Sequence, residues 1–125
     1  MSKQTIILDF DGVIHSYSSG WQGSPEIIND PPVDNVREAI QELRKDYRVV
    51  VLSSRSHQEG GIPAMKKWLK KYNIEVDDVV RNKVPATVYV DDRAINFDGV
   101  WDKHMIDRIK EFRPWTKKNK EHTRI

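Results

Sequence analysis

Two pairs of aspartates, Asp9 with Asp11 and Asp91 with Asp92, each follow a short apolar run, Thr5-Ile6-Ile7-Leu8 and Thr87-Val88-Tyr89-Val90. In an extended segment the side chains at i and i+2 point the same way, so Asp9 and Asp11 face one side and Phe10 the other. Two carboxylates about 5 to 7 Å apart repel each other unless a cation or a proton lies between them. Mg²⁺ meets that need, because it takes hard oxygen ligands and is held by a few carboxylates plus water and phosphate. Asp91 and Asp92 are consecutive and cannot both point at one centre from a regular strand. One is therefore expected to bind the metal and the other to orient it. A third polar cluster, Ser53-Ser54-Arg55, follows the run Val49-Val50-Val51-Leu52.

These clusters need a scaffold that brings them together. Apolar runs alternate with helical periodicity, the pattern of a parallel sheet wrapped by helices. Strands are expected at Thr5–Leu8, at Arg48–Ser53, around Val79-Val80 and at Thr87–Val90. Val33, Val36, Ala39, Ile40, Leu43 and Tyr47 predict a helix over about 33 to 46, with Pro31 and Pro32 suited to its first turn. Ile62, Met65, Trp68, Leu69 and Tyr72 mark a second helix, and Met105, Ile109 and Phe112 form the stripe of a third from about Trp101 to Phe112. Trp68 and Trp101 read as core, and Asp77-Asp78 as a surface turn. The fold class is α/β, a Rossmann-like three-layer sandwich with a central, mainly parallel sheet. Ligands of such sheets bind beyond the carboxyl ends of the strands, where all three polar clusters fall.

The motif order resembles the haloacid dehalogenase (HAD) superfamily of phosphohydrolases. The likeness runs from about Ile6 to Ala94: Asp9-Phe10-Asp11-Gly12-Val13 matches the first motif, the strand ending in Ser53 the second, a lysine the third and Asp91-Asp92 the fourth. The resemblance implies that Asp9 attacks phosphorus to form an aspartyl-phosphate. Asp11 would protonate the leaving group and then activate water, which requires surroundings that raise its pKa. It also implies that Ser53 binds a phosphoryl oxygen. Ser53-Ser54-Arg55 is similar to the Ser-Gly-Arg of polynucleotide phosphatase domains, with Ser54 in place of glycine, and Arg55 would add a charge-assisted contact to phosphate. Lys83, eight residues before Asp91, is the choice for the lysine; Lys66 and Lys67 are the alternatives. Little chain separates the motifs, which resembles the branch with minimal or no cap and an open crevice.

The loop Ser19-Gly20-Trp21-Gln22-Gly23 places a tryptophan between glycines, either as a plug holding the loop down or as a surface for stacking on a substrate base. Of the four histidines, His15 and His57 lie near the expected crevice, and none has metal-ligand spacing. The 125 residues suffice for one domain, expected over 1–112, followed by a basic tail over 113–125. That tail carries five bases and one acid, +4, against a net charge of +2 for the whole chain. The absence of cysteine excludes disulfides, thiol catalysis and cysteine-ligated metals. The apolar run at the start is too short for a leader and no run is long enough to cross a bilayer, so a cytoplasmic protein without a membrane partner is expected. No obligate protein partner is evident. The reading is a Mg²⁺-dependent phosphomonoesterase, its substrate a nucleotide or a nucleic-acid end. A receiver-like phosphoacceptor domain is the alternative, disfavoured by motif order; a nonenzymatic nucleic-acid-binding module using the tail is another.

Overall fold

The computed structural model describes residues 3–117. Its centre is a four-stranded, all-parallel sheet in the order β3-β2-β1-β4, built from β1 (Gln4–Leu8), β2 (Tyr47–Leu52), β3 (Asp78–Val80) and β4 (Val88–Val90). Ile6 pairs with Val49 on one side and with Val88 on the other. Three α-helices follow the strands: α1 (Val36–Leu43), α2 (Gly61–Lys71) and α3 (Lys103–Lys110). This is the α/β, Rossmann-like architecture expected, and among the described residues no cap domain is inserted into it.

Alternation along β1 and β2 sends Ile6, Leu8, Val49 and Val51 to one face, where they join Ile40 of α1 and Met65, Trp68 and Leu69 of α2 in a single core. Both helices lie on that face because the steps from β1 to β2 and from β2 to β3 run in the same direction across the sheet, and right-handed crossovers then fall on the same side. Ile7 and Val50 are buried on the opposite face. The chain then returns past β1 to place β4 at the sheet margin, where Val88, Tyr89 and Val90 are each more than 40% exposed. The order reverses at β1, so the crevice beyond the carboxyl ends of β1 and β4 is the topological switch point, where open α/β sheets bind ligands.

Several local expectations are corrected. α1 starts at Val36 rather than near 33, because the preceding residues are used elsewhere: Ser16 N–H bonds to Pro31 O, Pro32 bridges to His15, and Val33 N–H donates to Ile14 O. α3 begins after Asp102, whose carboxylate accepts the Met105 N–H at 3.0 Å, a side-chain cap that starts the helix there. Trp101 is thereby left outside the helix and 71% exposed, its ring tilted against Phe97 rather than in the core. Of the predicted stripe only Met105 is buried; Ile109 is exposed. Asp78 opens β3, and the Asp77 carboxylate accepts the Val49 N–H at 2.7 Å and pairs with Arg44 at 3.0 Å, so this acidic pair closes the β2–β3 ladder rather than forming a surface turn.

Candidate active site

Asp9 is the first residue beyond β1, and its N–H donates to Val90 O at 2.9 Å, carrying the β1–β4 ladder one rung further. That rung fixes Asp9 beside the end of β4, from which Asp91 and Asp92 emerge. Carboxylate oxygens of Asp9, Asp91 and Asp92 all lie within 4.8 Å of one another. Both consecutive acids can reach the cluster because the strand ends at Val90. Beyond it the chain turns, with Asp91 Oδ1 accepting the Arg93 N–H at 2.8 Å, so strand alternation no longer separates them.

Burial raises the Asp9 carboxyl, as do a hydrogen bond with Asp92 and the charges of Asp91 and Asp92, pushing it up to about 8 against the one lowering contact from Phe10 N–H. Three carboxylates, two half-buried and Asp91 exposed, sharing so small a space require a proton or a cation. Their oxygens are the hard donors that a divalent metal takes, so the donor set fits one.

Gly12 closes the turn after Asp11 with φ +81, and a Cβ there would overlap the Asp92 carboxylate. Only glycine satisfies both the left-handed backbone and the close approach. Trp115 Nε1–H donates to Gly12 O at 2.7 Å, and a groove of about 280 Å³ beside the cluster is lined by Gly12, Val13, Val90, Asp91, Asp92 and Trp115. With Pro114 also buried, the basic segment begins docked on the site, so a boundary after residue 112 cuts through packed contacts. Lys118, Lys120 and Arg124 lie outside the described residues.

Asp11 does not join the three acids. One oxygen accepts from His15 Nδ1 at 2.8 Å and the other from Arg55 Nε at 2.8 Å. His15 Nε2 accepts the Asp30 N–H at 3.1 Å, which leaves the proton on Nδ1 to be donated to Asp11. Burial raises the Asp11 carboxyl, but the hydrogen bonds from His15 and Arg55 and the Arg55 charge outweigh it and hold it below the ordinary 3.8. The raised pKa expected for an acid catalyst at this position is thus absent in the free protein.

Arg55 is corrected as well. Its side chain is 1% exposed, and beside the Asp11 contact Nη1 donates to Pro25 O at 2.9 Å and Ile27 O at 3.2 Å. It holds the 16–31 loop against Asp11 instead of offering a fork to phosphate. Ser53 is buried at the start of the short 3-10 turn Ser54–His57. Its Oγ accepts the Arg55 N–H at 3.1 Å, leaving the hydroxyl proton to donate, and Ser54 is exposed. Lys83 is exposed with its ammonium 4.5 Å above the Tyr89 ring, and among the described residues no ion pair joins it to the acids. Lys66 and Lys67 are exposed on α2, and His57 is exposed. Trp21 is 46% exposed, its ring 5.1 Å from the Arg55 guanidinium.

Three participants lack a strong signal in the sequence. Asp30 anchors the loop, accepting from Ser19 N–H at 2.9 Å and Ser19 Oγ at 2.6 Å. Tyr17 sits at φ 58 against His15, and burial and the Asp11 charge raise its phenol. His15 is buried between Phe10 and Trp68. For His15 the sequence offers its place near the crevice and its spacing four residues after Asp11.

The family model described as HAD domain in Swiss Army Knife RNA repair proteins matches residues 5–124. No curated protein and no solved structure gives a significant match.

Proposed function

The chain belongs to the HAD domains of Swiss Army Knife RNA repair proteins, a phosphohydrolase type, and on that premise we propose that it is a Mg²⁺-dependent phosphomonoesterase acting on a nucleotide or polynucleotide phosphate through an aspartyl-phosphate. The observation that carries the proposal is the meeting of Asp9, Asp91 and Asp92 at the switch point. The family's place in RNA repair proteins supports the substrate class, and the open, capless crevice admits a nucleic-acid end.

Asp9, Asp91 and Asp92 would hold Mg²⁺. Bound there, it would neutralise the clustered carboxylates and the charge that develops on the phosphoryl oxygens. Asp9 supplies the nucleophilic oxygen: its O–P bond forms as the bond from phosphorus to the ester oxygen breaks. Asp11 gives its proton to that ester oxygen and takes one from water in the second step, when water displaces Asp9 and inorganic phosphate leaves. In the free protein Asp11 is ionised, the state the second step needs. The incoming phosphate dianion opposes His15 and Arg55 and raises the proton affinity of Asp11 for the first. Ser53 donates its hydroxyl proton to a phosphoryl oxygen. Lys83 reaches the same charge only by leaving Tyr89.

The test is a phosphate-release screen with Mg²⁺ over nucleotides, 3′- and 5′-phosphorylated oligonucleotides, sugar phosphates and phosphopeptides. Asp9→Asn should abolish release while the circular dichroism spectrum is kept. Release at the wild-type rate by Asp9→Asn removes the nucleophile assignment, and stable phosphorylation of Asp9 without turnover favours the phosphoacceptor alternative.

A further inference from the structure

We propose that Trp21 is a stacking surface for the nucleobase adjoining the reactive phosphate, a specificity determinant that rests on the nucleotide or polynucleotide reading above. One face of Trp21 covers the buried Arg55 guanidinium, and the rest of the ring is left open. Trp21 is 46% exposed, its ring faces the Arg55 guanidinium, and among the described residues no other aromatic ring packs on it.

Nor is it the tip of a loose loop. Ser19 is bound twice by the Asp30 carboxylate, at 2.9 and 2.6 Å, and Gln22 Nε2 donates to Ser19 O at 2.8 Å. Arg55 grips Pro25 O and Ile27 O further along. Gly20 at φ 72 and Gly23 at φ 92 supply the left-handed turns on either side of the tryptophan. A large apolar ring, one face over Arg55 and nearly half exposed, is thus held by an anchored frame. The physical use of that arrangement is a partner for the exposed part of the ring.

Position and chemistry select the partner. Arg55 lies 2.8 Å from Asp11 and 5.1 Å from the indole, and a C–N bond adds about 1.3 Å, so the ring is no more than about 9 Å from the Asp11 carboxylate. That is the order of the reach from a phosphate to the base of the same nucleotide. Stacking on an indole accepts any base, because every base has a π face. The cation beneath pins the ring orientation through its quadrupole. Recognition of this kind gives preference for base-bearing ends without sequence preference.

The experiment uses the full chain carrying Asp9→Asn, with Mg²⁺, so that binding is read without turnover. Fluorescence anisotropy gives Kd for oligoribonucleotides phosphorylated at the 3′ or 5′ end, whose terminal residue either bears adenine or is abasic. The base-bearing end should bind about tenfold more tightly, within the range of single base–aromatic stacks. Adding Trp21→Ala should reduce that ratio to within about twofold, and Trp21→Phe should keep most of it. With Asp9 intact, the loss should fall on KM for base-bearing substrates. Persistence of the preference in Trp21→Ala, or no preference at all, overturns the proposal. Base preference without Asp9-dependent phosphate release would keep the stacking surface and sink the phosphatase reading. Release without base preference would do the reverse.

Discussion

Arg55→Met tests the link between the loop and the acids. The arginine is 1% exposed, and its loss strips Asp11 of its cation and leaves the carbonyls of Pro25 and Ile27 without a donor. Removing one partner of a buried ion pair costs about 3 to 5 kcal/mol, and because the Asp11 side chain is 15% exposed and keeps His15, the low end applies. A loss of about 3 kcal/mol lowers the urea midpoint by about 1.5 M at a slope near 2 kcal/mol/M. The pH dependence has a definite sign. Asp11 is held below its ordinary 3.8, so the stability its charge provides is complete above that value and disappears as pH falls through the folded-state value. The wild-type advantage over Arg55→Met should therefore be full at pH 7 and shrink below about pH 4. Urea titrations at pH 7 and pH 3 measure it. A gap of the same size at both would refute an ionic role, and no gap at pH 7 would refute the buried contact altogether. Arg55→Lys should keep the pH dependence and recover only part of the stability, since an ammonium cannot reach Asp11 and the two carbonyls with a planar fork.

Asp9 has the opposite sign: with its pKa raised to about 8 from 3.8, the metal-free fold loses stability as pH climbs between those values. Asp92→Asn should then raise metal-free stability at pH 8 by about 1 to 2 kcal/mol in calorimetry, with no gain at pH 5 and a weaker response to Mg²⁺. An equal gain at both pH values would contradict shared-proton repulsion. Gly12→Ala should reduce phosphate release by more than about tenfold, because the backbone is left-handed and the methyl displaces Asp92; wild-type activity would mean that the Asp92 position does not matter. Trp115→Phe keeps the ring and removes its bond to Gly12 O, so the melting temperature should fall by about 4 °C for a loss of about 1 kcal/mol. An unchanged melting temperature would show that this segment adds nothing to the site.

Apolar runs ending in polar clusters disclosed β1, β2 and β4 and the crevice beyond them; β1 and β2 are the central strands, whose buried faces need uninterrupted hydrophobic residues, whereas β4 lies exposed at the margin. What stayed hidden was the pairing of polar side chains across the chain. Arg55 after a serine looks like a phosphate ligand until the loop carbonyls of Pro25 and Ile27 surround it. Asp11 looks equivalent to Asp9, yet the turn through Phe10, whose carbonyl accepts the N–H groups of Ile14 and His15, swings His15 onto it. Trp101 carried the right spacing for a core position, but Asp102 capped the helix first. The Arg55 contacts close over 28 to 44 residues, a range local periodicity does not encode, while the His15 and Asp102 contacts are local but turn on side-chain hydrogen bonds that apolar spacing does not register.

The three clustered acids are mounted unequally. Asp9 continues a strand hydrogen-bonded on both sides, whereas Asp91 and Asp92 hang from β4, three residues long and bonded along one side. The distances between the carboxylates are therefore governed by how far a marginal strand can yield, and whatever occupies the gap adjusts one wall of it while the other stays put. On the proposed phosphatase reading, such a seat would accommodate phosphates entering at different angles, yet present the same oxygen to them.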